Sequence, residues 1–113
     1  FFGKEISKSL KENNYNIKHN FNYDSLGFSI DFLLDNKIIE YPNCIKIDVD
    51  GTEELILQGA KKTLSNKKLS SILIEVNDVI DNSTKRVEEC LTSYGFKKKD
   101  IRNPKNFNQI WDR

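Results

Sequence analysis

The sequence has no methionine, one histidine and only two cysteines. His19 has no second histidine or cysteine nearby, so a ligand or catalytic role for it is not predicted. Cys44 and Cys90 lie too far apart for a CxxC motif and fall in apolar-patterned segments. Both are therefore predicted to be small buried hydrophobic residues in a reducing cytoplasm. A chain that begins at Phe1 and contains no methionine is also expected to lack its natural N-terminal part.

The chain also lacks a charge imbalance and a long apolar run. Its 18 basic and 17 acidic residues give a net charge of +1, so neither nucleic acid nor an anionic membrane is predicted as a partner. No apolar run approaches the roughly 20 residues that a membrane-spanning helix needs. The 113 residues, 37% of them hydrophobic, predict one globular domain with its own core.

The first 24 residues carry a weak pattern and are left poorly assigned. Ile6, Leu10 and Tyr15 suggest a short helical stripe, because they recur at helical spacing. A strand is predicted after it, either at 15–17 or at 21–23.

A helix and a strand are predicted in the next stretch. Ser29 can cap a helix over 30–36 through its hydroxyl, and Asp31 lies near the positive end of that helix. After Pro42, isoleucine and valine alternate with polar residues, which predicts a strand at 45–49.

Gly51 ends this strand, and the next helix is predicted to begin at Thr52, whose hydroxyl would cap it. Glu53 complements the helix dipole in the first turn, and Lys62 favours the closing turn. The apolar face of this helix consists of Ile56, Leu57, Ala60 and Leu64.

The second half of the chain predicts one more helix and three strands. The apolar run at 71–76 is typical of a strand buried on both faces. A helix over 82–94 follows, ended by Gly95 in the left-handed conformation. Strands at 96–102 and 107–112 are predicted to form an antiparallel hairpin. The core face of the helix consists of Val87, Cys90, Leu91 and Tyr94. This order predicts an α/β fold with parallel strands and a C-terminal antiparallel hairpin.

Acidic residues follow the predicted carboxyl ends of the two parallel strands. Asp48, Asp50 and Glu53 follow the first strand, and Glu75 closes the second. The second strand end continues with Asn77 and Asp78. Ligands bind at such ends in open α/β sheets, where carboxylates can take protons, orient hydroxyls or hold a metal. Structural roles are the alternative: a turn for Asp50, dipole pairing for Glu53 and a solvated edge for Glu75. Because Glu75 interrupts an apolar strand, it is expected either to reach a cleft or to meet Lys46.

The short string from Asp48 to Thr52 resembles the nucleophile loop of haloacid-dehalogenase-type phosphatases. That resemblance implies that Asp48 attacks phosphorus and that Asp50 is the acid and base. The family also needs a serine or threonine at the next strand end, a downstream lysine and a later acidic pair for Mg²⁺. The next strand here ends in glutamate, so these supporting parts do not match.

A longer pattern resembles FkbM-type methyltransferases, whose motif reads K-I-D-V-[ED]-G-x-E, L-x-G-A and I-x-x-E in that order. The matching residues are Lys46-Ile47-Asp48-Val49-Asp50-Gly51-Thr52-Glu53, then Leu57, Gly59 and Ala60, then Ile72-Leu73-Ile74-Glu75-Val76. Upstream, Ser29-Ile30-Asp31-Phe32-Leu33-Leu34 resembles the T-L-D-x-L-L helix of that family. The resemblance covers 25–113 within a single domain, 1–113.

This resemblance implies a partial Rossmann-like class I sheet and an S-adenosylmethionine-dependent transfer of methyl to a hydroxyl of a small molecule or sugar. Asp48 would accept the hydroxyl proton, and Asp50, Glu53 and Glu75 would act on the acceptor side or position it. No metal is expected. The family's glycine-rich cofactor turn and its ribose-binding acidic residue are not recognised, so cofactor-binding residues stay unassigned. The chain alone is expected to carry half a site, to bind the cofactor weakly or not at all, and to be inactive.

A third interpretation is a non-catalytic half-domain that associates with itself. If the first strands of the sheet are missing, one edge and one face of the strand at 45–49 are exposed. Unpaired strand edges and apolar surface favour association, so a second copy of the chain is expected to bind there.

Overall fold

The computed structural model describes residues 2–6, 21–24, 26–76, 82–100 and 107–113. The part before residue 60 contains β1 (Phe2–Ile6), β2 (Phe21–Asp24), α1 (Ile30–Asp35), β3 (Cys44–Ile47) and α2 (Glu53–Gln58). The part after it contains α3 (Lys61–Ser65), β4 (Ser71–Glu75), α4 (Ser83–Ser93), β5 (Lys97–Lys98) and β6 (Asn108–Asp112). None of these helices is long and apolar enough to cross a membrane.

The main sheet has four strands in the order β3-β4-β6-β5. β3 and β4 run parallel, with Cys44 beside Ser71 and Ile47 beside Ile74. β6 pairs antiparallel with β4, on the side of β4 opposite to β3. It also pairs antiparallel with β5. The fold is therefore α/β, and the predicted parallel pair and the antiparallel pairing of the last two strands are confirmed. β5 covers only Lys97–Lys98 of the strand predicted at 96–102, and residues 101–106 lie outside the described residues.

The N-terminal part differs from its prediction. Ile6 ends β1, which pairs antiparallel with β2, so the predicted helical stripe is wrong at this residue. Two aromatic residues and one β-branched residue within six positions favour a strand, whereas two turns of apolar spacing are too short to define a helix. The predicted strand at 21–23 is confirmed as β2. Leu10, Tyr15, the alternative strand at 15–17 and His19 lie outside the described residues.

Helices α2, α3 and α4 cover one face of the main sheet. Ile72 and Ile74 of β4 are fully buried under them, and their β6 neighbours Trp111 and Gln109 are buried on the same face. Full burial of one isoleucine contributes about 1.5–3 kcal/mol. The helices contribute Leu57, Ala60, Leu64, Val87 and Leu91 to this core.

The opposite face of the sheet, which we call the open face, is half-exposed in the described part of the chain. It consists of the alternate strand residues Cys44, Lys46, Ser71, Leu73, Glu75, Asn108, Ile110 and Asp112. β4 is thus buried on one face only, and the prediction of burial on both faces is wrong. The same alternation explains why Cys44 is exposed rather than buried, because its side chain projects away from the helices. Both cysteines are free thiols, and Cys90 is partly buried.

One predicted helix is observed as two. The prediction ran from Thr52 to at least Leu64, but α2 ends at Gln58 and α3 begins at Lys61. The break lies at Gly59, where α1 approaches so closely that an added Cβ would lie 2.8 Å from Ser29 Cβ. The Gly59 carbonyl accepts a hydrogen bond from the Asp31 backbone N–H at 3.1 Å. Contact with α1 therefore replaces the helical continuation.

Asp31 also completes the start of α3. Its carboxylate accepts hydrogen bonds from the backbone N–H groups of Lys62 and Thr63 at 2.8 and 3.0 Å, and from the Thr63 hydroxyl at 2.8 Å. Ala60, at the N-cap position, has no side chain that can do this. Burial acts to raise the pKa of Asp31, but these hydrogen bonds outweigh it and lower that pKa. The predicted Ser29 cap of α1 is confirmed, since its hydroxyl accepts from the Phe32 N–H at 3.1 Å.

The ends of α3 and α4 meet at Arg113. Its guanidinium donates to the backbone carbonyls of Leu64, Leu69 and Tyr94 at 2.7 to 3.0 Å, and also to that of Asn66. The same guanidinium lies over the Phe96 ring, 4.3 Å from its centroid. Gly95 follows the end of α4 and adopts the left-handed conformation, with φ of +88°, as predicted.

Candidate functional site

Asp48 and Glu75 lie side by side where the two parallel strands end. Ile47 is paired with Ile74, so the following residues leave the sheet at the same edge and on its open face. Their carboxyl groups are close enough that each shifts the pKa of the other. The register thus brings these two predicted site residues together at one edge of the sheet.

Lys46 forms an ion pair with Asp48, one of these two acidic residues. Its Nζ lies 2.6 Å from Asp48 Oδ2, and the two side chains are 60% and 49% exposed, so a ligand can reach them from solvent. The hydrogen bonds that Asp48 receives from Lys46 and Glu75 lower the pKa of Asp48. The hydrogen bond to Asp48, together with partial burial, raises the pKa of Glu75, and the charge of Asp50 raises it further. Of the two carboxyl groups, Glu75 is therefore the one that takes up a proton first as pH falls.

Glu53 stabilises the loop after β3 through a hydrogen bond. Gly51 has φ of +93°, and its N–H donates to Glu53 Oε1 at 3.1 Å and to the Val49 carbonyl at 2.9 Å. Glu53 is only 3% exposed, so its carboxylate faces the loop and not the solvent. Thr52 occupies the N-cap position of α2, but the predicted cap through its hydroxyl is wrong, because that hydroxyl makes no cap hydrogen bond.

The four predicted site residues are thus divided by their surroundings. Asp48 and Glu75 are neighbours, and the exposed Asp50 is near enough for its charge to raise the pKa of Glu75 further. Glu53 supports the loop that carries Asp48 and Asp50. Lys46 pairs with Asp48 and not with Glu75, on which it acts only through its charge. Asn77 and Asp78 lie outside the described residues.

Lys46 is the residue that the sequence reasoning did not assign to the site. The available signal was its spacing from Asp48, because residues two apart on a strand project from the same face. Glu75 was expected either to reach a cleft or to meet Lys46 across the sheet. The register places Lys46 beside Leu73, so Asp48 is the nearer carboxylate.

The arrangement suits proton transfer and hydroxyl binding. Asp48, whose pKa is lowered, is suited to accept hydrogen bonds as a carboxylate, and Glu75, whose pKa is raised, protonates more readily beside it. Among the described residues, no three histidine, cysteine, aspartate or glutamate side chains lie close enough to hold a metal ion. Three surface grooves of the described part are lined by other residues, from α1, α3, α4 and the chain end. Charge and strand register, rather than groove shape, single out this site.

Comparison with known proteins gives one match. The sequence profile of the methyltransferase FkbM domain matches residues 4–98 of the 113. No curated protein and no solved structure matches the chain. The matched region includes both strand ends with Asp48 and Glu75, the break at Gly59 and most of the N-terminal 24 residues, and it ends with β5. The chain belongs to the FkbM methyltransferase domain family.

Proposed function

We propose that this domain transfers a methyl group from S-adenosylmethionine to a hydroxyl of a small molecule or sugar. Family membership supports methyl transfer. The observation that carries the proposed site is the contact of Asp48 with Glu75 at the ends of two parallel strands. We assign the sheet to the Rossmann-like class I type, in which such strand ends face the ligands. The free thiols of Cys44 and Cys90 fit a reducing cytoplasm.

The residues at the strand ends fit the cofactor in charge. S-adenosylmethionine supplies an electrophilic methyl group on a positively charged sulfur. Carboxylates accept hydrogen bonds from hydroxyl and amino groups and complement a positive charge. Asp48 and Asp50 are exposed carboxylates in this position. We propose that they provide the part of the site that this chain supplies, and that the chain alone binds the cofactor weakly.

Asp48 is the proposed general base. It accepts the hydroxyl proton as the new bond between the acceptor oxygen and the methyl carbon forms and the sulfur–carbon bond breaks. Positioning of the two reactants supplies most of the acceleration of such a displacement. Glu75 donates its proton in a hydrogen bond to Asp48 and so fixes the orientation of that carboxylate. Glu53 positions the loop through Gly51.

The test is transfer of an isotopically labelled methyl group to a panel of hydroxyl acceptors. It uses this chain and the full-length product of its gene. Asp48→Asn is expected to lower the rate by about 10²–10⁴-fold, the usual contribution of a general base. Asp100→Asn, which removes an exposed carboxylate beyond β5, is the matched control and should leave the rate unchanged.

Three outcomes would contradict the proposal in different ways. Full activity of Asp48→Asn would remove Asp48 from the reaction. Methylation of amines alone would refute transfer to oxygen. Hydrolysis of a phosphate ester with Mg²⁺, lost in Asp48→Asn, would restore the phosphatase alternative, which neither the family match nor the carboxylate arrangement supports. Absence of cofactor binding by calorimetry in both chains, with a stable dimer by light scattering, would favour a non-catalytic half-domain.

A further inference from the structure

We propose that Lys46 is a positioning residue of this site, which keeps Asp48 as the carboxylate and leaves the single proton of the pair on Glu75. This inference deepens the proposed function and rests on it for its catalytic meaning. Its physical content, however, concerns only where the proton lies in this chain. It can therefore be tested without cofactor or acceptor.

Two neighbouring carboxyl groups in equivalent surroundings do not determine which of them is protonated. Like charges in contact repel, so a pair of carboxyls holds one proton over a wide pH range. If Asp48 and Glu75 were in equivalent surroundings, the proton would be divided between them, and either could serve as the base. Selection of one base needs an asymmetric charge beside the pair.

Lys46 supplies this asymmetry through the strand geometry. Lys46 and Asp48 are two residues apart and project from the same face of β3, with a 2.6 Å separation between Nζ and Oδ2. Glu75 is on the neighbouring strand, and Lys46 reaches it only by its field. An ammonium in contact with one carboxylate stabilises that anion over its neighbour.

The remaining charges around the pair act in the same direction. Asp50, on the loop before α2, raises the pKa of Glu75 through its negative charge. The β6 neighbour of Glu75 is Asn108, which is uncharged. Glu53 directs its carboxylate to the Gly51 N–H. Among the residues that the structure describes, the cation paired with one of these two carboxyls is Lys46, and it contacts Asp48.

For the reaction, this arrangement has a specific consequence. An ionised Asp48 is ready to accept the hydroxyl proton over the whole range between the lowered pKa of Asp48 and the raised pKa of Glu75. The protonated Glu75 carries no charge in this range, which limits repulsion of Asp48 by its neighbour. Loss of the Lys46 charge would let the proton move to Asp48 and would block the base.

The test follows the carboxyl carbons of Asp48 and Glu75 by ¹³C NMR as pH is varied. The chain itself is used, labelled in aspartate and glutamate. In the natural sequence, Asp48 is expected to titrate below the ordinary aspartate range and Glu75 above the ordinary glutamate range. In Lys46→Met, the Asp48 midpoint is expected to shift upward, and the two residues should titrate more alike.

Two further variants separate charge from structure. Lys46→Arg keeps the cation and should preserve the natural order of the two titrations. Lys62→Met removes a lysine that is ion-paired with Asp35 at 2.5 Å and should leave Asp48 and Glu75 unchanged. The ¹H–¹⁵N spectrum verifies that each variant is folded, and the exposure of Lys46 makes its replacement compatible with folding.

The inference is overturned if Lys46→Met leaves both titrations unchanged, or if Asp48 proves to hold the proton in the natural chain. The first result would leave the methyl-transfer proposal intact, provided that Asp48→Asn still lowers the rate of transfer, whereas the second would also remove Asp48 as the general base. Conversely, if this chain shows the expected titrations but neither it nor the full-length product of its gene transfers methyl, the proposed function is refuted and the role of Lys46 in placing the proton is not.

Discussion

At the scale of single residues, Asp31 shows how one carboxylate can organise two helices. It lies in the first turn of α1, yet its carboxylate binds the backbone of α3. The sequence indicated a favourable position near the dipole of its own helix, but gave no sign of the partner 31 and 32 residues away. Such a contact depends on how the helices pack, which local spacing does not specify.

Replacement of Asp31 by alanine is expected to lower the free energy of unfolding by about 1–2 kcal/mol, as loss of an N-cap does. The pKa of Asp31 is lowered in the folded chain, so this stabilisation is fully present above its unfolded pKa. It is lost as pH falls through the folded pKa. Urea unfolding at neutral and acid pH measures both effects.

Asp35→Ala provides the control for this prediction. Asp35 is half-exposed and ion-paired with Lys62 on the same helix pair, and such surface pairs contribute about 0–1 kcal/mol. A loss of stability in Asp31→Ala that is no larger than in Asp35→Ala, or that persists undiminished at low pH, would refute the capping role.

At the scale of elements, the sequence predicted the strands and helices of the main sheet well, because hydrophobic spacing reports which face of an element is buried. β3, β4, α4 and β6 were predicted within one or two residues of their observed ends, whereas β5 covers only two residues of the strand predicted at 96–102. The contact between Asp48 and Glu75 followed from parallel pairing alone. Spacing did not reveal which face of β4 is covered, the break at Gly59, or the loop contact of Glu53. Each of these depends on neighbours that are distant in sequence.

The helix break yields a prediction on Gly59. Gly59→Ala would place Cβ 2.8 Å from Ser29 Cβ, so the helices must shift, at a cost of about 1–3 kcal/mol. Ser29→Gly removes the obstructing atom and weakens the α1 cap by only a few tenths of a kcal/mol. The double variant should therefore be more stable than the sum of the single effects predicts, by about 1 kcal/mol in denaturant unfolding.

Gly27→Ala is the matched glycine control, because no atom lies within 4 Å of an added Cβ there. It should be neutral or slightly stabilising, by up to about 1 kcal/mol. Strict additivity of the Ser29 and Gly59 substitutions would show that the two helices do not approach each other as closely as described.

At the scale of the whole molecule, Arg113 connects β6 with the ends of α3 and α4. Arg113→Ala is expected to lower the free energy of unfolding by about 1–3 kcal/mol, since it removes charge-assisted hydrogen bonds to four backbone carbonyls. Arg113→Lys should recover only part of this, because lysine lacks the planar fork and the stacking on Phe96. Thermal unfolding compares both with Lys67→Ala, an exposed residue of the same groove; equal stability of all three would contradict this role.

Self-association through the β3 edge and the open face stays a prediction at this scale. β3 is the terminal strand of the four-stranded order. Cys44 belongs to this strand and is exposed on the open face, so its thiol can report whether the β3 edge and the open face are covered. A second copy bound there should slow maleimide labelling of Cys44 as protein concentration rises. Cys90 is the internal control. Burial and the nearby Glu54 raise the pKa of its thiol, so its labelling should be slow at every protein concentration. A monomer by light scattering at high concentration, with labelling of Cys44 independent of concentration, would refute it.

The position of the two carboxyls in the sheet has a consequence for heat inactivation. Glu75 belongs to β4, which is hydrogen-bonded to strands on both sides, whereas Asp48 follows β3, which is bonded on one side in the described sheet. Strands at the margin open at lower free energy than central ones. Warming should thus pull Asp48 from Glu75 while the helices and β4 still hold, so that turnover ceases at a temperature below the melting transition.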